Sequence, residues 1–390
     1  MKHIVVISSN YPSKMLPQCG TFVQEIVRAF SRRGVQCSVI SPVSIVDRIR
    51  YGKLDPKISF DDVVKDKPIK VIRPRYISFS SKNCFFFNTD HLTQLSFLQA
   101  VHNALSDINP KPSLLYGHFL YPGGAAAINC ARKLGIPSML AAGESSMWSV
   151  APVGYSKAIK NFRDVSGVIS VSSMIKRSLV NKLMIPEEKI RVIPNAVDLS
   201  EFFPRNKLAM REKYGFPKNK NIIIFIGHFD ERKGPHRLLS AVSSMDHVGL
   251  ILIGKGPIPL QSNNILFKGV VEHSKIPEML SVADIFVLPT LEEGSCNAII
   301  EALACGLPVV TSKGEFNDDI VDEDVAIRVD PKNIAEIRDA IIQLFQDHDL
   351  RNRMSGNAAE RAKQFDINQR AIKILDWVKE SQKKYFLKRD

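Results

Sequence analysis

No G-x-G-x-x-G follows the first apolar run of this sequence, which argues against a dinucleotide-binding dehydrogenase despite the strand–helix–strand pattern at the N-terminus. The six cysteines, Cys19, Cys37, Cys84, Cys130, Cys296 and Cys305, form no C-x-x-C pair, and there is no His-rich tract. A metal centre or a disulfide framework is therefore not expected, and a reducing cytoplasm fits the composition better. The N-terminal M-K-H-I-V-V-I-S-S-N turns polar after about five apolar residues, too few for a signal peptide or a membrane span, and reads as a first strand. Helix-turn-helix, zinc and RNA-binding signatures are lacking, so nucleic acid is not an expected partner. No D-x-D pair stands at a strand end, and no internal repeat or low-complexity tail interrupts the chain.

What is present describes an ordinary globular protein. At 390 residues the length suggests two domains, each able to bury its own core, and 45% hydrophobic with 24% charged residues is typical of soluble chains. The net charge of +13 is unevenly spread. Residues 1–197 carry 26 Lys and Arg against 12 Asp and Glu, whereas the remainder carries 27 against 28. A basic first half admits an anionic membrane surface or a phosphate-bearing acceptor as partner. Its densest part runs from Arg48 to Asn88 and ends in Phe85-Phe86-Phe87, a combination that suits either a peripheral membrane contact or a solvated face over an aromatic core.

The most informative stretch runs from Asp284 to Val310. Asp284 to Pro289 reads as a buried strand, Thr290 to Ser295 as a loop, Asn297 to Cys305 as a helix stopped by Gly306, and Leu307 to Thr311 as a second buried strand. Parallel α/β units of this kind bind ligands outside the carboxyl ends of their strands. The amides of Ser295, Cys296, Asn297 and Ala298 form a helix N-terminus, where unpaired donors and the helix dipole favour a phosphate. Glu293 in the loop and Glu301 on the helix add carboxylates that accept from hydroxyls. An anion cradle beside two carboxylates suits a sugar nucleotide.

These residues carry a resemblance. Glu293-Gly294, then Glu301-Ala302-Leu303-Ala304-Cys305-Gly306-Leu307-Pro308-Val309-Val310, closely resembles the E-x7-E signature of the retaining glycosyltransferases of family 4, the glycosyl transferases group 1, of bacterial cell-surface polysaccharide type. The resemblance implies an α/β GT-B fold of two Rossmann-like parallel-sheet domains facing across a cleft. It covers nearly the whole chain, most strongly 221–311 and most weakly 43–100. The implied domains are 1–198, an N-terminal acceptor-binding domain; 199–367, a C-terminal nucleotide-sugar-binding domain; and 368–390, a helix returning to the N-domain. Residues 199–220, with Pro204, Pro217 and several lysines, read as the linker after the P-N-A-V-D run at 194–198.

Several other segments resemble the family's site. Gly20-Thr21 before the first helix is similar to the glycine loop near the donor phosphates. His118-Phe119-Leu120-Tyr121-Pro122-Gly123-Gly124 resembles the segment whose histidine faces the donor sugar, and His118 ends a predicted strand. Ala142-Gly143 stands where many relatives have His-Gly, so no acid–base role is carried over there, and Glu144 is read as an acceptor contact. Arg232-Lys233-Gly234 before a helix suits a diphosphate, an Arg binding two oxygens and a Lys acting as a point charge. His228 replaces the arginine that relatives place after the preceding strand, and Arg232 is expected to supply that charge.

The resulting expectation is a cytoplasmic, metal-independent glycosyltransferase, peripheral at the inner face of the cytoplasmic membrane in the membrane-contact reading. It would use a UDP- or GDP-sugar as donor, no cofactor, and a glycan or lipid-linked saccharide as acceptor. His118, Glu293, Arg232 and Lys233 form the expected catalytic set; Gly20, Arg232, Lys233, Ser295, Cys296, Asn297, Ala298 and Glu301 are expected to hold the nucleotide sugar. The alternatives are a GT-B sugar-nucleotide epimerase and a non-catalytic sugar-nucleotide-binding protein.

Overall fold

Runs such as H-I-V-V-I at residues 3–7 and N-I-I-I-F-I at 221–226 are apolar on both faces, as strands covered by helices on both sides require. They head two separate, largely parallel sheets. The structure, a computed structural model, describes residues 3–62, 68–79, 83–84 and 87–387. It divides into two units, Met1–Ile193 with Arg370–Asp390, and Pro194–Gln369.

The first unit holds an eight-stranded sheet in the order Ile190–Val192, Gly167–Ser170, Ser138–Ala142, Leu114–His118, His3–Ile7, Gln36–Ile40, Ile69–Ile72 and Ile58–Asp61. All neighbours are parallel except the edge pair, where Ile58–Asp61 runs against Ile69–Ile72. Val23, Ile26, Val27 and Phe30 recur at helical spacing along Thr21–Arg32 and are buried. The register places Ile7 beside Ile40 and beside Gly117, the residue before His118. Both the loop after the first strand and His118 thus lie at the carboxyl edge of the sheet. The helix Ile367–Leu387 supplies Trp377, whose Nε1 donates to Val168 O at 3.2 Å, and Gln382, which donates to Ser113 O at 3.2 Å.

The second unit has six parallel strands in the order Ile265–Gly269, Val248–Ile253, Asn221–Ile226, Ile285–Leu288, Val309–Ser312 and Ala326–Val329. Its core is one apolar cluster that includes Phe225, Phe286, Ile299, Leu303 and Ile341. The expected strand at 284–289 is seen as Ile285–Leu288, and the expected helix at 297–305 as Asn297–Ala304.

Two expectations need correction. The stretch 199–220 is not a plain linker, because Lys207–Tyr214 is a helix capped by Asn206. Its polar composition hides the reason: Arg211 is buried, donating to Asp284 Oδ2 at 2.7 Å, to Val282 O and to the carbonyls of Lys218 and Lys220. Within the basic stretch 48–88, Arg73 is not part of a solvated face. It is 4% exposed, donating to Pro12 O at 2.8 Å and to Ser59 Oγ. Ile49 is 87% exposed, and Arg48, Lys53 and Lys57 in the same stretch of sequence are exposed as well. Phe85, Phe86, the side chain of Phe87, and Lys65, Lys67 and Lys82 lie outside the described residues. Among the described residues no helix is long and apolar enough to cross a membrane.

Candidate active site

In the second unit, strand Asn221–Ile226 delivers the loop 227–234 to the carboxyl edge of the sheet, and Ile285–Leu288 delivers 289–296 beside it. The two loops are tied by backbone and side chain together. Leu291 N donates to Arg232 O at 2.8 Å, and Arg232 Nη1 donates to Glu292 O at 2.8 Å. Arg237, 5% exposed at the start of helix Pro235–Ala241, donates from Nη2 to Pro289 O at 2.9 Å. Asp230 shapes the first loop, its Oδ1 accepting from Lys233 N at 2.8 Å and its Oδ2 lying 3.1 Å from His228 Nδ1. Burial opposes the Asp230 charge, but these bonds and the Arg232 cation outweigh it and hold its carboxyl below the usual range. Gly254 closes the pattern from the neighbouring strand: at φ 148° a Cβ there would stand 1.9 Å from Gly227 O.

Arg232, Lys233 and Glu293 come together as one cluster. Glu293, 8% exposed, accepts on Oε1 from Lys233 Nζ at 2.5 Å, Thr290 Oγ1 at 3.0 Å and Arg232 Nη1 at 3.2 Å. Burial disfavours the Lys233 ammonium, yet the adjoining Cys296 sulfur and Glu293 carboxylate more than compensate and keep its pKa above the ordinary value. Burial also pushes the Cys296 thiol up to about 11, so at neutral pH Glu293 is the charge that holds Lys233 protonated. Oε2 of Glu293 takes none of the three bonds and remains able to accept from a hydroxyl.

The helix Asn297–Ala304 begins against this cluster. Cys296, at its N-cap, makes no side-chain capping bond, and sulfur is a weak acceptor, so the first amides have no strong side-chain partner. Asn297 Oδ1 is buried and unpartnered among the described residues. Ser295 is instead engaged structurally: its Oγ accepts from Asn195 N at 3.1 Å, and its carbonyl from Asn195 Nδ2 at 3.0 Å. Glu301 lies one turn into the helix with Oε1 3.4 Å from His273 Nε2. Its charge and those of Lys233 and Glu293 all act on Cys296, so the expected donor-site residues of this unit share one neighbourhood.

In the first unit, Gly20 has φ 75°, and a Cβ would meet Asn10 O at 2.4 Å, so the approach of the loop to the first helix requires glycine. Phe22, two residues on, packs its ring edge-on to His118 at 6.0 Å and to Phe119 at 5.9 Å, which sets Gly20 and His118 at one edge. His118 is 4% exposed, and its Nε2 has no partner among the described residues; the same holds for the Tyr116 hydroxyl. Burial, and then the Arg370 guanidinium, pull the His118 pKa down to about 3. Phe119 has φ 63° and ψ 160°, a conformation that costs a non-glycine residue about 1–3 kcal/mol and marks the turn as held in place by its surroundings.

Sequence reasoning missed what holds that turn. Glu144, read as an acceptor contact, is buried, and its carboxylate accepts from Leu120 N, from Gly143 N at 3.2 Å and from Ser149 Oγ at 3.5 Å. Burial pushes its pKa up to about 7 against those bonds. Arg237, Thr290 and Asp230 were likewise unmarked, since their partners lie in loops that no local pattern connects.

Comparison with known proteins bears on both units. The profile described as Glycosyl transferases group 1 matches residues 206–361, and that described as Glycosyltransferase Family 4 matches residues 19–201. A putative teichuronic acid biosynthesis glycosyltransferase of Bacillus subtilis is 26% identical over 387 residues, covering 94% of this chain and 96% of that protein. The UDP-Gal:alpha-D-GlcNAc-diphosphoundecaprenol alpha-1,3-galactosyltransferase of Escherichia coli is 30% identical over 220 residues, 52% of this chain and 57% of its own length. Among solved structures, sucrose-phosphate synthase from Thermosynechococcus elongatus superposes with a TM-score of 0.78 at 18% identity, covering 97% of this chain and 99% of that one. Anabaena HepE in complex with UDP-glucose gives 0.72 at 19% identity, covering 96% and 100%. These likenesses establish the fold as GT-B, with two Rossmann-like parallel-sheet units.

The depressed His118 pKa yields a test. Because the folded value lies below the unfolded one near 6.5, the neutral imidazole contributes fully above that pH, and its contribution is lost as pH falls towards 3. Imidazole nitrogen NMR, with the signal assigned by His118→Asn, is expected to show a neutral ring at pH 5. A signal titrating between pH 6 and 7 would contradict the burial argument.

Proposed function

The chain belongs to the glycosyl transferases group 1, glycosyltransferase family 4, and from that premise we propose that it transfers a sugar, with retention at the anomeric carbon, from a nucleotide diphosphate sugar to a saccharide or lipid-linked saccharide acceptor in cell-surface polysaccharide synthesis. The observation that carries this reading is the Arg232–Lys233–Glu293 cluster beside a helix N-terminus at the carboxyl edge of a parallel sheet. Two cations and unpaired amides suit a diphosphate; a carboxylate with one unengaged oxygen suits sugar hydroxyls. The likenesses support a UDP-sugar donor, since HepE is seen with UDP-glucose and the Escherichia coli relative is named for UDP-Gal.

In this proposal Arg232, Lys233 and the amides near Asn297 bind the diphosphate, Glu301 takes the ribose hydroxyls and Glu293 takes the sugar hydroxyls. The bond from the anomeric carbon to the phosphate oxygen breaks as the bond from the acceptor oxygen forms on the same face. The acceptor proton passes to the departing phosphate, and the nucleoside diphosphate leaves. Negative charge grows on that leaving group, so fixed cations and amides aimed at it lower the barrier directly. The same cations do what a divalent metal does elsewhere, which is why the reaction is proposed to need none. His118 in the first unit, neutral and with an unpartnered Nε2, exchanges hydrogen bonds with a substrate hydroxyl and does not serve as a cationic acid.

The acceptor is proposed to be membrane-borne. This rests on the basic first half and on an exposed apolar side chain, Ile49, within a stretch of sequence that also exposes Arg48, Lys53 and Lys57.

With EDTA present throughout, Lys233→Ala is expected to lower turnover roughly 10²–10³-fold while the wild type is unaffected by the chelator. A wild type strictly dependent on added Mn²⁺ would contradict the metal-free reading, and donor turnover with no acceptor would favour epimerase chemistry. In liposome pelleting, vesicles containing anionic lipid are expected to retain more protein than neutral vesicles. Equal pelleting with both would remove the membrane part of the proposal.

A further inference from the structure

The two carboxylates of the second unit's site are held in very different ways. Oε1 of Glu293 collects three donors, whereas the carboxylate of Glu301 has one hydrogen-bonding partner among the described residues, His273, whose Nε2 lies 3.4 Å from Oε1. Oε2 of Glu301 accepts from no described residue and is not sealed from solvent. A glutamate has three side-chain torsions to settle, so this single contact decides where the open oxygen points.

His273 is built to hold it. The turn His273–Lys275 follows the strand Ile265–Gly269 at the carboxyl edge of the sheet and is closed by Lys275 N, which donates to Glu272 O at 2.9 Å. The imidazole lies against the Phe202 ring, with centroids 5.6 Å apart and planes tilted by 52°. Phe202 is buried in the apolar core of the unit, and close packing there fixes the ring that backs His273. A carboxylate only accepts, so the imidazole proton facing it sits on Nε2, and the bond is directional. A lysine in the same place would supply charge without that direction. Ion pairs between fully exposed side chains contribute little, but here one partner is backed by the core and the other belongs to the helix that begins beside the Arg232–Lys233–Glu293 cluster.

We propose that His273 is a positioning residue for the donor nucleotide: its Nε2–H holds Oε1 of Glu301, which turns Oε2 to the ribose hydroxyls and makes the site selective for ribonucleotides over deoxynucleotides. That Oε2 meets ribose rests on the transferase reading above; the His273–Glu301 contact does not. His273 itself touches neither the ribose nor the bond that breaks, and acts through Glu301. Without this anchor the carboxylate keeps its charge but samples several rotamers, and the nucleotide has to order it on binding. The loss therefore falls on the hydroxyl contact. Diphosphate binding stays with Arg232, Lys233 and the helix amides, which do not depend on His273.

Calorimetric titrations of the full chain with UDP, 2′-deoxy-UDP and 3′-deoxy-UDP test this on the wild type, His273→Ala, His273→Gln and Lys233→Ala. The wild type is expected to bind UDP about tenfold or more tightly than at least one deoxy form, since that form leaves a polar group of the site unpaired. In His273→Ala the ratio should shrink to about threefold or less, because UDP weakens while the deoxy form hardly changes. His273→Gln, whose amide nitrogen can stand where Nε2 stands, should keep most of the ratio, which separates the hydrogen bond from packing on Phe202. Lys233→Ala should weaken all three ligands alike and leave the ratio in place. An unchanged ratio in His273→Ala, a glutamine variant that behaves like the alanine one, or equal binding of UDP and both deoxy forms by the wild type would overturn the proposal. Any of these, with UDP affinity still dependent on Lys233, leaves the diphosphate site standing. A wild type that binds none of the three strikes the UDP-donor reading and the role of His273 with it.

Discussion

Oε1 of Glu293 receives three donors, Lys233 Nζ, Arg232 Nη1 and Thr290 Oγ1, and the two loops at the carboxyl edge of the second sheet take their form around it. A buried carboxylate alone would be expensive; so would a buried ammonium. Set together, each removes the penalty of the other, and the bonds from Asp230, Arg237 and Asn195 fix the loops that carry them. The cations are therefore already placed before any ligand arrives. Preorganisation of that kind is what makes a fixed charge effective against a charge that develops during reaction, because little reorganisation is needed at that moment.

The first unit solves a different problem. Its buried polar groups His118 and Tyr116 are left incompletely satisfied, whereas Glu144 and Arg73 spend hydrogen bonds on holding backbone turns. Unsatisfied groups at the carboxyl edge of a sheet are compatible with stability only where a ligand or solvent completes them. The second unit thus presents charge that is balanced and held, and the first presents hydrogen-bonding capacity that is open. A transferase needs both, one for a charged leaving group and one for hydroxyl-rich substrates.

Much of this was legible in the sequence where the physics is local. The strand at 285–288 and the helix at 297–304 follow from apolar periodicity and from stops such as Gly306. Glu293 and Lys233 were identifiable by residue type and by position after a strand, yet nothing in the sequence says that they touch across 60 positions. The helix 207–214 was hidden because the residue that anchors it, Arg211, is a buried cation, and composition reads cations as solvated. The same bias placed Arg73 on a solvated or membrane-facing surface. Around residues 43–100 short edge strands and exposed apolar residues blur both periodicities.

The central claim is that Lys233 and its neighbours form a site for a nucleoside diphosphate. Calorimetric titration of the wild type with UDP, GDP and ADP, repeated on Lys233→Ala, tests it most directly. A clear preference for one nucleotide, with binding markedly weakened by the substitution, is the predicted result. Binding of a nucleotide with equal affinity by wild type and Lys233→Ala, or no binding of any of the three to the wild type, would contradict it.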